Sequence, residues 1–289
     1  MKKVVFGTVI YKQAEIFFDS FLKCVENQTV KDFDLLLIND NLDQEAIIVL
    51  EEKLHEYGFE DRYCIVQGKK RTGYLSDFRI QMIKEASGRN YELLVIGDIY
   101  DLFAQNRVEA VYSFYKKNED AAFFFNSLID ENGKSVLREL PNKITDIDMI
   151  SQGNFLGMSN TAINLGKVSI ELVDSLYEGG CNIFDWYLYS RIILDGGIGI
   201  LVEDTNTVYR IHDNNIAGIQ GDSLEELERE RMVKLSHYQR LIPFSKRFLN
   251  YEKQLEHIVI DKEFYNTKYY NKNGQGYWWN NIRLEEKDV

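Results

Sequence analysis

Charged residues and glycines gather at four places in this sequence, each directly after a short apolar run. The run KVVFGTVI leads to Thr8–Tyr11, and DLLLIN leads to Asn39, Asp40 and Asn41. YCIV leads into KKRTGYLSDFR, which sets Lys69, Lys70, Arg71 and Arg79 around Gly73. ELLVI leads to Gly97, Asp98, Ile99, Tyr100 and Asp101. Together these residues suit a nucleoside diphosphate bound with a divalent metal, Mg²⁺ or Mn²⁺. Carboxylates at a strand end hold the cation, and the cation holds the diphosphate. Arginine and lysine neutralise the remaining phosphate charge. Asp40 or Asn39 can hydrogen-bond a base or ribose edge. Thr8, Tyr11, Arg71, Gly73 and Arg79 line the same edge as nucleotide-binding candidates. Any one of the four places could be an ordinary turn or helix cap, since Asp and Asn commonly follow strands in that role. Their convergence favours a site.

The elements that would position them alternate. Residues 3–10 lack polar alternation, as expected of a strand buried on both faces of a parallel sheet. Residues 13–27 carry Ile16, Phe17, Phe21, Leu22 and Val25 at helical spacing. Strands are expected at 34–39, 63–66 and 92–96. Helices are expected at 43–57, capped by Asp43, and at 74–86, ended by Gly88. This order predicts an α/β fold with a mainly parallel sheet and right-handed crossovers. Ligands of such sheets bind at the carboxyl ends of the strands. Further on, 106–117, 168–177 and 184–195 read as helices, 121–127 as a strand, and 198–203 and 207–211 as short strands. From Ser223 the pattern is helical and charged, and 263–281 carries no assignment.

The 289 residues carry a net charge of −12, which argues against nucleic acid as a partner because phosphate contacts need clustered Lys and Arg. Only Pro141 and Pro243 occur, so no proline-rich linker divides the chain. Cys24, Cys64 and Cys181 lie far apart, as reduced thiols do. No stretch approaches membrane-spanning length, and the start lacks a cleavage site, so the expected location is the cytoplasm.

In a consistent order over about residues 4–218, the sequence resembles family 2 glycosyltransferases, which share the GT-A fold. The opening segment matches through Asn27, Gln28, Thr29, Asp32, Phe33 and Asp40. LSDFRIQMIKEASG is similar to the family's helix through Leu75, Ser76, Arg79, Ile83, Ala86 and Gly88. FDWYLYSRIILDGG resembles the family's acidic helix start, and VYRIHDNNIAG its closing motif. The resemblance implies an inverting hexosyltransferase using a nucleotide-sugar donor, UDP-linked by preference. Its acceptor would be a hydroxyl of a glycan or a lipid-linked glycan in surface polysaccharide synthesis. Asp40 would contact the base, Arg79 the diphosphate, and Asp98 the metal. Asp185 would be the general base, beside a Trp186 ring that could stack on a sugar. Tyr209, Arg210 and His212 would close over the phosphates, with His212 a metal ligand.

Two departures stand out. Asn39 takes the place of the first acid of the family's usual pair. GDIYD replaces a run of acids, leaving Asp101 either a second metal ligand or a helix cap. This altered run keeps a non-catalytic scaffold in view as the alternative. A sugar-nucleotide pyrophosphorylase ranks low, because GTVIYKQAE lacks a glycine-rich basic loop. GNFLGMSN, at 153–160, is either a connecting loop or a border of the sugar site. His55 and His237, in charged helical stretches, are expected at the surface. Residues 1–222 are taken as the transferase domain and 223–289 as a helical, aromatic extension. The extension's Lys246, Arg247, Phe248, Tyr277, Trp278 and Trp279 are expected to pack on the core or form a homodimer contact; a peripheral membrane contact is the other reading.

Overall fold

The structure is a computed structural model describing residues 3–178, 183–210, 221–274 and 276–286. Among these residues nine strands form one mixed sheet: β1 (Val4–Tyr11), β2 (Asp34–Asp40), β3 (Tyr63–Gln67), β4 (Leu93–Ile96), β5 (Leu102–Phe103), β6 (Phe123–Ile129), β7 (Lys143–Ile144), β8 (Thr161–Asn164) and β9 (Gly199–Val208). Their spatial order is β3-β2-β1-β4-β8-β6-β9-β5, with β7 also paired to β9. The half from β3 to β4 is parallel. Strand β8 runs antiparallel to both β4 and β6.

The described residues also hold eight α-helices: α1 (Phe18–Glu26), α2 (Gln44–Glu56), α3 (Ser76–Gly88), α4 (Arg107–Lys117), α5 (Ile170–Ser175), α6 (Phe184–Leu194), α7 (Leu224–Leu241) and α8 (Arg247–His257). The apolar strands feed two cores because successive side chains point to opposite faces. Val4, Phe6, Leu35, Leu37, Leu93 and Val95 meet α1, α2 and α4 on one face. Val5, Leu36, Ile38, Leu94 and Ile96 face α3, α5 and α6 on the other. Residues of α7 and α8 belong to this second core, with Leu227, Tyr238, Leu241, Phe248, Tyr251 and Leu255 all fully buried.

Several elements differ from expectation for identifiable reasons. Lys12–Phe17 is a 3₁₀ turn, and the α-helix begins only at Phe18. Ile16 is 80% exposed, so the buried stripe starts with Phe18 and Phe21. The two short strands expected after residue 198 are one strand, β9. Its pairing with β6 shifts between Phe125 and Ser127, where Glu203 and Asp204 face solvent. That polar interruption reads as a gap in sequence but is a bulge in the sheet. Helix α3 is followed not by a left-handed glycine but by Asn90 at φ 63°. Asp43 does cap α2, accepting from the Ala46 N–H at 2.9 Å.

The tail past α8 holds one 3₁₀ turn, Phe264–Asn266, and is otherwise anchored by its contacts. Trp278 exchanges backbone hydrogen bonds with Asn154 and is 4% exposed, and Trp279 is 1% exposed. Phe248 is fully buried and Arg247 pairs with Asp148. The tail's large aromatic groups therefore pack inward. No helix among the described residues is long and apolar enough to cross a membrane.

Candidate active site

The parallel strands bring their carboxyl ends to one edge. There Tyr11 lies beside Asp40, and β4 passes into Gly97–Asp101. Position 97 tolerates only glycine: a Cβ there would stand 2.4 Å from the Phe103 ring and 2.9 Å from Phe6. This close approach lets the chain turn so that Asp98 emerges on the open side while Asp101 turns in. Asp98 accepts from Arg79 Nη2 at 3.2 Å and from the Tyr100 hydroxyl at 3.3 Å. Its backbone N–H donates to Ser159 Oγ at 3.1 Å.

Asp101 is fully buried and caps no helix; Asn106 holds the position before α4. Its Oδ1 instead accepts the Arg210 N–H at 2.9 Å, while Oδ2 is buried without a hydrogen-bond partner among the described residues. Burial first, and then the Asp98 charge, push the Asp101 carboxyl up to about 7.

Arg79, in the first turn of α3, pairs with Asp98 and is near enough to Asp185 to feel its charge. Burial pulls its guanidinium down, but Asp98, Tyr100 and Asp185 more than offset this and hold it above its ordinary value. The loop before it is fixed by Asp77, itself fully buried. That carboxylate accepts from Thr72 N–H and hydroxyl, both at 2.7 Å, and from Gly73 N–H at 3.2 Å. Gly73 has φ 89°, a left-handed turn that suits glycine. Lys70 reaches back to Asp40 at 3.5 Å. Asn39 points inward and supports the turn, accepting the Leu42 N–H at 2.7 Å.

Asp185 sits in the first turn of α6, where its carboxylate accepts the Trp186 N–H at 2.8 Å. Burial pushes it up to about 6, with Arg79 and the Trp186 N–H pulling the other way. Trp186 does not face a sugar. It is fully buried, donates from its ring to Ile150 O at 2.7 Å, and stacks on His237 at 4.0 Å. His237 is accordingly buried, not exposed, and burial lowers its pKa to about 3. Spacing on a charged helix did not reveal a partner supplied from α6.

The edge thus gathers Tyr11, Arg79, Asp98, Asp101, Asp185 and Arg210. Tyr11 is pushed up by burial and then by Asp98. Arg210 is folded inward, donating to Tyr100 O and to Ser20 Oγ at 3.3 Å, with its guanidinium 5.1 Å from the Phe17 ring. Thr8 lies beneath the edge, 1% exposed, its hydroxyl without a partner among the described residues. Arg71 stands off on the exposed loop, 4.2 Å from the Tyr177 ring centroid. His212 lies outside the described residues.

Two supporting residues escaped the sequence reading. Ser159 props Asp98 from the 153–160 stretch. Arg107, fully buried, donates to Ile96 O at 2.7 Å just before the Gly97 turn, and burial lowers its pKa to about 9. A lone arginine at a helix start carries no signal of that role.

Solved structures with the same architecture include TarS of S. aureus, residues 1–349, in complex with UDP-GlcNAc. It superposes with a TM-score of 0.57 at 13% identity over 88% of this chain and 72% of its own. The mannosyltransferase PcManGT of Pyrobaculum calidifontis, in complex with GDP-Man and Mn²⁺, gives 0.56 at 14% identity over 88% and 70%. The fold is that of glycosyltransferases. In sequence, this glycosyltransferase-fold chain is 26% identical over 135 residues to an uncharacterized glycosyltransferase of Methanocaldococcus jannaschii. The match spans 46% of this chain and 44% of that relative, less than half the length of either. No family model matches the sequence.

Proposed function

We propose that this chain is an inverting, family 2-like glycosyltransferase. It moves a sugar from a nucleoside-diphosphate sugar, UDP-linked by preference, to a hydroxyl of a glycan or glycolipid acceptor in surface polysaccharide synthesis. The observation that carries the reading is the Asp98–Arg79 pair at the carboxyl edge of the parallel strands, with Asp185 near enough to feel both charges, in a fold whose solved examples bind UDP-GlcNAc and GDP-Man.

Asp185 is the general base. It takes the proton of the acceptor hydroxyl as that oxygen bonds to the anomeric carbon. The bond from this carbon to the phosphate oxygen breaks, and its electron pair leaves with the nucleoside diphosphate. A base with a pKa near 6 is ionised at neutral pH yet still basic enough to accept the proton. Arg79 lies beside Asp98 to receive the growing negative charge of the leaving diphosphate. Asp40, with Lys70 against it, faces the base and ribose.

The acidic residues suit a cation that arrives with its own phosphate and water ligands, as Mg²⁺ does when bound through one or two carboxylates. Asp98 opens to the site, and Asp101 keeps an unpartnered oxygen beside it. Among the described residues there is no cluster of three His, Cys, Asp or Glu side chains fit to hold a metal alone. A bound Mn²⁺ or Mg²⁺ would neutralise the diphosphate. His212 remains a candidate third ligand.

The burial and pinning of Asp101 favour one competing reading, a non-catalytic chain that kept the fold. A panel of UDP- and GDP-sugars incubated with the protein separates the two. Slow release of one nucleoside diphosphate, with a preference for UDP, is expected; no release from any donor, with or without Mn²⁺, would leave the scaffold reading.

A further inference from the structure

The loop that joins β3 to α3 differs from the rest of the surface. Lys69, Lys70 and Arg71 form the only run of three cations in a chain of net charge −12. Immediately beyond them Tyr74 is 39% exposed and Leu75 is 59% exposed. Leu75 serves the fold poorly where it stands. It stands just before the first turn of α3 with a helical backbone, φ −65° and ψ −22°, and makes no side-chain cap hydrogen bond. It does not fill the core either.

The loop is nonetheless held in shape. Asp77 grips Thr72 and Gly73, and the Lys69 N–H donates to Gln81 Oε1 at 2.9 Å. The apolar pair is therefore presented outward by a built turn. Lys70 shares its charge with Asp40, whereas the Lys69 and Arg71 side chains are at the surface with no acidic partner among the described residues. Ile16, 80% exposed, lies at the same carboxyl edge of the sheet, after β1.

We propose that the 69–75 loop docks the protein on an anionic lipid bilayer, with Lys69 and Arg71 at the headgroups and Tyr74 and Leu75 in the interfacial layer. Charge complementarity selects this partner: clustered cations next to exposed apolar side chains match an anionic surface over an apolar interior. The loop borders the edge that carries Asp40 and Arg79. Docking here would hold that edge against the membrane surface. The inference rests on the surface alone and stands apart from the transferase reading.

Flotation of the intact chain with phosphatidylcholine vesicles, with and without about one third phosphatidylglycerol, tests it. Flotation is expected with the anionic vesicles only and should be reversed by salt. Leu75→Asp should lower the bound fraction on the order of tenfold by placing a negative charge in the interface. Leu75 is 59% exposed, so this variant should keep the parent's melting temperature, and its nucleotide-induced thermal shift should match the parent's. Tyr74→Ser should lower the bound fraction severalfold. Equal flotation with neutral vesicles, no flotation at all, or flotation by Leu75→Asp and Tyr74→Ser at the parent's level would each overturn the assignment.

Discussion

Asp185→Asn should bind donor nucleotide as the parent does and lose turnover by about 10²–10⁴-fold, the usual contribution of a positioned general base. Asparagine keeps the shape and the oxygen that accepts the Trp186 N–H, but it cannot take a proton. In the parent, kcat/KM should rise with pH up to about 6 and then level, because only the ionised carboxylate works.

The same substitution should stabilise the fold above that pH. The Asp185 pKa is raised in the folded state. Its protonated form therefore contributes stability that is fully present below the unfolded pKa near 3.8 and lost as pH rises through about 6. Above this window the folded chain holds a carboxylate it disfavours. Relieving it is worth about 1–2 kcal/mol after allowance for solvent screening, a few degrees in melting temperature at pH 8. A structural carboxylate would give the opposite result, a lower melting temperature with turnover kept.

Glu230→Ala should give the largest loss of stability. Glu230 and Lys234 form a fully buried pair at 3.3 Å on α7. Glu230 also accepts the N–H groups of Asn281 at 3.1 Å and Ile282 at 2.7 Å, while Lys234 donates to Gln152 O at 2.8 Å. The pair therefore ties the C-terminal tail and the 150s loop to α7. Removing one partner strands a buried charge, at a cost of about 3–5 kcal/mol. Burial lowers the Lys234 pKa, and Glu230 is the charge that opposes this shift. A fall in melting temperature on the order of 10 °C is expected. Glu230→Met with Lys234→Met should recover only part of it, since the apolar pair removes the stranded charge but leaves the Asn281 and Ile282 N–H groups without their acceptor.

The sheet and most of its helices were legible in the sequence because each signal was local. Unbroken apolar runs marked β1, β2 and β4, and Asp43 announced α2. The Asp40 and Asp98 positions followed from where those runs end, and Arg79 from the basic segment after YCIV. Long-range contacts left no such trace. Trp186 and Asp185 are neighbours in sequence, yet a helix turn sends one into the core, where His237 from α7 covers it. Asp101 reads in sequence as a ligand or a cap; it caps no helix, and its hold on Arg210, over a hundred residues away, left no local signal. The tail's tryptophans gave no helical or strand pattern because they fill gaps against the 150s loop instead of forming an element.

The most direct test is a thermal-shift screen of UDP, GDP, CDP and dTDP, each with and without Mn²⁺, on the parent and on Asp98→Ala. A ligand that binds only the folded state raises the melting temperature by mass action. A selective rise with UDP, enhanced by Mn²⁺ and lost in Asp98→Ala, is the predicted result; no shift with any nucleotide would contradict the nucleotide-sugar site.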